Sequence, residues 1–456
     1  MKRFILIVFV VFNSCYNPIE NKKPNVIIVM TDDQGFGDLG INKNPNIITP
    51  NIDKFANKSI QFNNFFVSPV CAPTRASLMT GRYSLRTGIR DTYNGGAIMS
   101  NNETTIAEIL KEANYATGIF GKWHLGDNYP FRPSEQGFDE SLIHLAGGIG
   151  QVGDFTNYYK GNTSYFDPIL WKNNKQNQYK GYCSDIFAEN AIEFIEKNKN
   201  NSFFCYLSFN APHTPLQVPE KYYNMYKDLD PELGFKGESL ALKMSKKDKE
   251  DARRIYGMVT NIDDNFGKVL NKLTELGIEE DTIIIFMTDN GPQQFRYNSN
   301  MKGLKGTVYN GGTRVPFYIK YAGKFKNSKV INRMSAHIDV LPTILELCNL
   351  NVPNDRKIDG QSLVPLINSK TFNDRYLFSY WTRRFPEKYI NMSIQNDNYK
   401  LVGNNDFDSK IEEFELYDLV EDPNENNNII SQNIELAKSF KIEIDNSIED
   451  LLDSEN

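Results

Sequence analysis

One phrase occurs twice in this chain. The first apolar run ends Ile28-Val29-Met30-Thr31-Asp32-Asp33-Gln34-Gly35, and a later one ends Ile285-Phe286-Met287-Thr288-Asp289-Asn290-Gly291-Pro292. Asp and Asn are common turn formers after strands, so a single pair would say little. The repetition says more. Asp32, Asp33, Asp289 and Asn290 brought to one sheet edge need a cation, and an all-oxygen set favours a hard ion, calcium or magnesium; zinc would want His or Cys. A second constellation runs from Ser68 to Arg82. Pro73 suits a first helical turn. Cys71 would then stand at a helix N-terminus, where free N–H groups and the dipole favour anionic species. Arg75, four residues on, shares its face. A reactive side chain beside a fixed guanidinium suits attack on an oxyanion ester. Lys122 and His124 are two apart after a strand, so in extended backbone they face one side, a cation next to a proton carrier. His213 lies in a loop stiffened by Pro212 and Pro215, and Lys305 sits in a Gly-rich loop that can approach a ligand closely. A lone strand-end histidine is usually structural and a lone loop lysine usually solvated; their company points to chemistry.

The elements that must position these residues alternate. Val26–Met30, Ala116–Phe120, Phe203–Phe209 and Thr282–Met287 read as buried parallel strands. Helical patterns over Thr104–Ala113, Ser184–Lys197, Ala252–Leu276 and Ile338–Leu347 lie between them. The alternation predicts a wound α/β sheet, whose ligands gather at the carboxyl ends of the strands. Beyond Pro365 the texture changes to short strands at Arg375–Tyr380, Tyr389–Ile394 and Tyr399–Val402, then a helix over about Ile434–Leu452. We expect a catalytic domain over 24–365 and a smaller α+β domain over 366–456 carrying a short antiparallel sheet. Lys227–Lys249 reads as a surface insertion.

The chain has 456 residues, 40% hydrophobic and 24% charged, with a net charge of −6. That balance excludes a disordered chain and argues against a nucleic-acid partner. Lys2 and Arg3 precede a short apolar run, Phe4–Phe12, and then Asn13-Ser14-Cys15. Residues 1–15 therefore read as an export signal, with simple cleavage or a lipid anchor at Cys15. The expected location is the periplasm or an outer-membrane lipoprotein of a bacterium. Cys205 and Cys348 look like small buried hydrophobes, and Cys183 is undecided.

Cys71-x-Pro73-x-Arg75 followed by Leu78-Met79-Thr80-Gly81-Arg82 resembles the signature of type I sulfatases, relatives of alkaline phosphatase. The resemblance extends in order and spacing through Asp32-Asp33, Gly121–Gly126, Pro212–Pro215, Asp289–Gly291, Gly303–Gly306, Gly311–Pro316, Asp339–Thr343 and Glu415–Leu419 with Asp422-Pro423. It implies a large mixed, mostly parallel sheet flanked by helices. It also implies that a formylglycine-generating or anaerobic sulfatase-maturing enzyme oxidises Cys71 to Cα-formylglycine. In the family cycle the hydrated aldehyde attacks sulfur, and His213 with Lys305 serves the leaving oxygen. His124 then deprotonates the second hydroxyl and sulfate departs. Arg75, Lys122 and Lys305 neutralise the sulfuryl oxygens. Asp32, Asp33, Asp289 and Asn290 hold calcium, with residue 71 completing its shell. Most relatives carry Glu where Asn310 stands, which puts a local hydrogen bond in question.

The expected substrate is a sulfated saccharide. Trp171, Trp381, Arg383 and Arg384 could form its rim, since aromatic faces stack on sugars and arginines bind carboxylate or sulfate; core packing is the plainer alternative. His144 lies in the loop His144-Leu145-Ala146-Gly147-Gly148 and could line a subsite or be an ordinary loop residue. His337 reads as structural. Two other readings are a phosphate or phosphonate ester hydrolase of the same superfamily and an inactive binding protein for sulfated glycans.

Overall fold

A computed structural model describes residues 23–93, 95–235, 243–383 and 386–453. The export signal, Cys15 and Arg384 lie outside them. Sixteen strands run in chain order: β1 (Asn25–Thr31), β2 (Ile60–Phe62), β3 (Phe65–Phe66), β4 (Ala116–Lys122), β5 (Glu140–His144), β6 (Ile169–Lys172), β7 (Lys175–Gln178), β8 (Phe203–Ser208), β9 (Thr282–Thr288), β10 (Phe317–Tyr321), β11 (Lys329–Ile331), β12 (Ser335–Ala336), β13 (Leu377–Tyr380), β14 (Met392–Gln395), β15 (Tyr399–Gly403) and β16 (Glu415–Asp418). Ten of them form one sheet in the order β11-β2-β10-β9-β1-β8-β4-β5-β6-β7. Its centre, β9-β1-β8-β4-β5, is parallel, and antiparallel pairs flank it.

Alternation along the central strands fills a core on each face. Val26, Ile28 and Met30 pack with Ile283, Ile285 and Met287 on one face; Ile27 and Val29 pack with Ile284, Phe286 and Leu207 on the other. Helices cover both faces, which explains why these strands read as unbroken apolar runs. A second sheet, β13-β14-β15-β16, is antiparallel throughout. The Ile434–Asp453 helix covers it with Ala437, Phe440, Ile444, Ile448 and Leu451, a helical stripe. Among the described residues no helix is long and apolar enough to cross a membrane.

Two expectations need correction. The last part of the Lys227–Lys249 segment is not insertion but the start of a long helix, Lys246–Glu275. Ser245 and Asp248 close a capping box there, so the helix begins six residues before the apolar stripe at Ala252. Strands β2, β3, β5, β6, β7, β10, β11, β12 and β16 also lie outside the runs that the sequence marks as strands. Several are only three or four residues long, and the edge strand β7, Lys175–Gln178, is exposed and polar, so periodicity has nothing to act on.

Candidate active site

Register brings the repeated phrase together. β1 and β9 are parallel neighbours with Met30 opposite Met287 and Thr31 opposite Thr288. Asp32-Asp33 and Asp289-Asn290 therefore leave the sheet side by side, and the backbone N–H of Asp33 donates to Asp289 Oδ1 at 3.2 Å. Gly291 has to be glycine for this to close. A Cβ there would stand 1.9 Å from the Gly311 carbonyl oxygen, so the two Gly-containing loops touch backbone to backbone.

The Cys71–Thr80 helix is buried along its whole length and places Cys71 at its first residue. One turn on, Arg75 donates to Asp289 Oδ2 at 2.7 Å, to Ser208 Oγ at 2.5 Å and to the Lys122 carbonyl at 3.1 Å. Lys122 closes β4 and pairs with Asp32 at 2.6 Å. Lys305 pairs with Asp33 at 2.5 Å. Its loop is pinned by Lys305 N donating to the Pro292 carbonyl and Gly306 N to that of Pro69, 3.0 and 2.8 Å away. Each of the three acids is thus matched to its own cation. Burial, countered by Lys122, leaves the Asp32 carboxyl raised to about 6, and burial together with Asp32 does the same for Asp289. Burial would also raise Asp33, but Lys305 and His213 hold it well below the usual carboxylate range.

The two histidines sit differently. Lys122 and His124 do not share a face by strand alternation, because His124 has left the extended region with φ of 61°. Its Nε2 contacts the Thr92 carbonyl at 2.7 Å, and its Nδ1 is buried without a hydrogen-bond partner. Donation from Nε2 to that carbonyl leaves the lone pair on Nδ1. Burial and nearby Lys122 push this imidazole down to about 3. His213 Nδ1 contacts the Thr214 carbonyl at 2.7 Å, and its Nε2 faces Asp33 Oδ2 at 3.7 Å. Burial pushes it to about 3 as well, against the pull of Asp33. Thr92 and the pair Gly147-Gly148 were missed by sequence reasoning. A Cβ on Gly147 would meet His124 Nε2 at 2.7 Å, and one on Gly148 would meet His213 Cε1 at 3.0 Å. The Gly-rich loop was the available signal, although its purpose is packing against the histidines. His144 itself is buried with Nδ1 on the Leu145 carbonyl, away from the cleft.

The donor set fits a hard cation. Asp32 Oδ1, Asp33 Oδ2 and Asn290 Oδ1 are buried and unpartnered. Ligand atoms of Asp32, Cys71 and Asp289 lie within 4.8 Å of one another. Such groups are costly to bury unless charge or hydrogen bonds meet them.

Other motifs prove to be scaffold. Asn310 donates Nδ2 to the Pro423 carbonyl and accepts from Lys400 Nζ at 3.0 Å, while Glu425 accepts from the Asn310 N–H at 2.6 Å and pairs with Lys400 at 2.8 Å. A carboxylate from a distant loop thus stands against the Asn310 backbone. Glu415 accepts from Lys302 and from the Tyr309 hydroxyl, tying the second sheet to the Lys305 loop. His337 is buried between the Phe66 carbonyl and Ser68 Oγ, a structural position. Trp171 lies against the core with Arg132 over its ring at 4.5 Å and does not reach the rim. Cys183, Cys205 and Cys348 are buried free thiols.

A cleft of about 1080 Å³ opens over Cys71, His124, His213 and Lys305. A family model described as Sulfatase matches residues 24–350, and one described as N-sulphoglucosamine sulphohydrolase, C-terminal, matches 304–451. The N-acetylgalactosamine-6-sulfatase of Mus musculus is 31% identical over 78% of this chain and 68% of its own. The Ulvan-active sulfatase of Formosa agariphila is 30% identical over 91% of this chain and 78% of its own. The crystal structure of Ps i-CgsB, also solved in complex with k-i-k-neocarrahexaose, matches with a TM-score of 0.79 at 28% identity, covering 93% of this chain and 92% of that one. The chain belongs to the sulfatase family of the alkaline phosphatase superfamily. It is a sulfatase, a hydrolase of sulfate esters.

Proposed function

We propose that this sulfatase removes sulfate from a sulfated saccharide, using a formylglycine made from Cys71 by a maturation enzyme and a calcium ion held by Asp32, Asp33, Asp289 and Asn290. The observation that carries the reading is the position of Cys71. It opens a buried helix, within ligand distance of two carboxylates, at the floor of a cleft that Lys305, His124 and His213 surround. The saccharide rests on the named relatives, two of which act on or bind sugars by their descriptions. Together the hydrated aldehyde and the calcium would supply an activated oxygen nucleophile, a second hydroxyl to drive sulfate release and positive charge against the sulfuryl oxygens. Arg75 fixes Asp289 and the ends of β4 and β8. Lys122 and Lys305 add positive charge beside the sulfuryl group. Lys305, kept protonated by Asp33, and His213 Nε2 serve the leaving oxygen. His124 Nδ1 takes up a proton as sulfate is released. Residues 1–15 act as an export signal in this reading, ending in simple cleavage or in a lipid anchor at Cys15.

The test is parallel turnover of p-nitrophenyl sulfate and p-nitrophenyl phosphate by the matured protein, with sulfate release then followed on sulfated galactose and glucosamine saccharides. Faster sulfate than phosphate ester hydrolysis is expected. The reverse order would favour the phosphate or phosphonate reading.

A further inference from the structure

Among the described residues lining the cleft, two carry positive charge, Lys305 and Arg383. Lys305 is committed to Asp33 at 2.5 Å. Arg383 is held otherwise. Its guanidinium carbon lies 4.9 Å from the Tyr93 ring centre and 5.4 Å from that of Trp381. Its acidic neighbour, Asp91, is 3.9 Å away, too far for a direct hydrogen bond, and 57% of its side chain is exposed. Aromatic rings occupy the faces of a guanidinium and leave its edge N–H groups for an oxyanion, which two of them can clasp together. Trp381 in turn abuts the catalytic loop: a Cβ on Gly306 would lie 3.1 Å from its ring. Arg383 therefore stands one aromatic ring from the neighbour of Lys305. The cleft, at about 1080 Å³, stands at the upper end of the roughly 300–1,000 Å³ usual for small-molecule sites. Val152, Phe155 and Tyr158 line it while remaining 83%, 78% and 48% exposed. Such an apolar lip marks a surface that a ligand covers, and sugar faces suit it.

We propose that Arg383, stacked on Tyr93 and Trp381, is a second anion-binding position, taking a further sulfate or a uronate carboxylate of the saccharide whose scissile sulfate lies at Cys71. This rests on the sulfated-saccharide reading above. It makes the enzyme selective for saccharides with two or more negative groups.

The test is competition against p-nitrophenyl sulfate turnover by three probes: galactose 6-sulfate, a disulfated galactose disaccharide, and a disaccharide of a uronate and a 6-sulfated hexosamine. In the wild type at least one two-anion probe should inhibit about tenfold more tightly than galactose 6-sulfate. The probe that gains identifies sulfate or carboxylate as the partner. Arg383→Ala should erase the advantage, and Arg383→Lys should keep part of it. Equal inhibition by all three probes in the wild type would overturn the proposal. So would an advantage that survives Arg383→Ala. If matured protein fails to hydrolyse p-nitrophenyl sulfate at all, the sulfate-ester reading is at fault instead. Calorimetric titration of the same probes onto Cys71→Ser protein, with and without Arg383→Ala, then decides the anion position by the same comparison.

Discussion

At the floor of the cleft, Arg75 and Lys122 are wholly buried, with carboxylate partners at 2.7 and 2.6 Å. At its rim, Arg383 keeps 57% of its side chain in solvent, with a carboxylate 3.9 Å off. The floor residues come from strand ends and one buried helix, where register and packing leave no freedom. The rim residues come from loops distant in sequence. A buried charge deprived of its partner is costly, whereas an exposed one costs little to change. The floor is therefore closed to variation. The rim is free to vary, and under the proposal above it is what selects among esters.

Breaking the floor should have the largest effects. Cys71→Ala and Cys71→Ser should both reduce sulfate release to background, because neither can supply the second hydroxyl that expels sulfate; substantial turnover by Cys71→Ser would sink the formylglycine assignment. Asp289→Ala should remove a cation ligand and strand Arg75 without a carboxylate. Loss of about 3–5 kcal/mol in chemical denaturation and loss of calcium binding by calorimetry are expected. A variant of wild-type stability that still binds calcium would contradict the coupling. Gly147→Ala forces His124 aside from 2.7 Å without touching the metal set. It should lower kcat about a hundredfold while calcium affinity stays the same.

The smaller effects sharpen the contrast. His337, outside the site, is held neutral, with burial pushing it down to about 3. Unfolded histidine takes up its proton near 6.5, so below that pH the unfolded chain binds the extra proton and stability falls as pH drops toward 3. Between pH 7 and 5 the wild type should lose about 2 kcal/mol more than His337→Gln. Parallel losses would mean that this histidine is protonated in the fold. At the rim, Arg383→Ala should change the stability measured in chemical denaturation least of all, leaving it within about 0.5 kcal/mol of wild type.

Much of the floor was legible in the sequence, and the reason is local. The doubled Met-Thr-Asp phrase needs only two parallel strands in register to become one site, and β1 and β9 supply that. The spacing of Cys71, Pro73 and Arg75 needs only a helix. Local reading failed where structure is tertiary. The expected alternation of Lys122 and His124 broke because the chain turns at His124. Gly147 was visible as part of a Gly-rich loop, but its contact with His124 is long-range. Trp171 and Trp381 looked alike as rim candidates. Only packing separates them, one against the core and the other against Gly306. Glu425 has no sequence signal at all; it stands against Asn310 through the loop that follows β16.

The mass of residue 71 reports the formylglycine itself. Protein coexpressed with a formylglycine-generating enzyme is digested with trypsin, and the peptide Ser59–Arg75 is weighed. A mass about 18 Da below that of the cysteine peptide is expected, or the hydrate that adds water back. An intact thiol beside a maturation enzyme shown to be active on another sulfatase would contradict it.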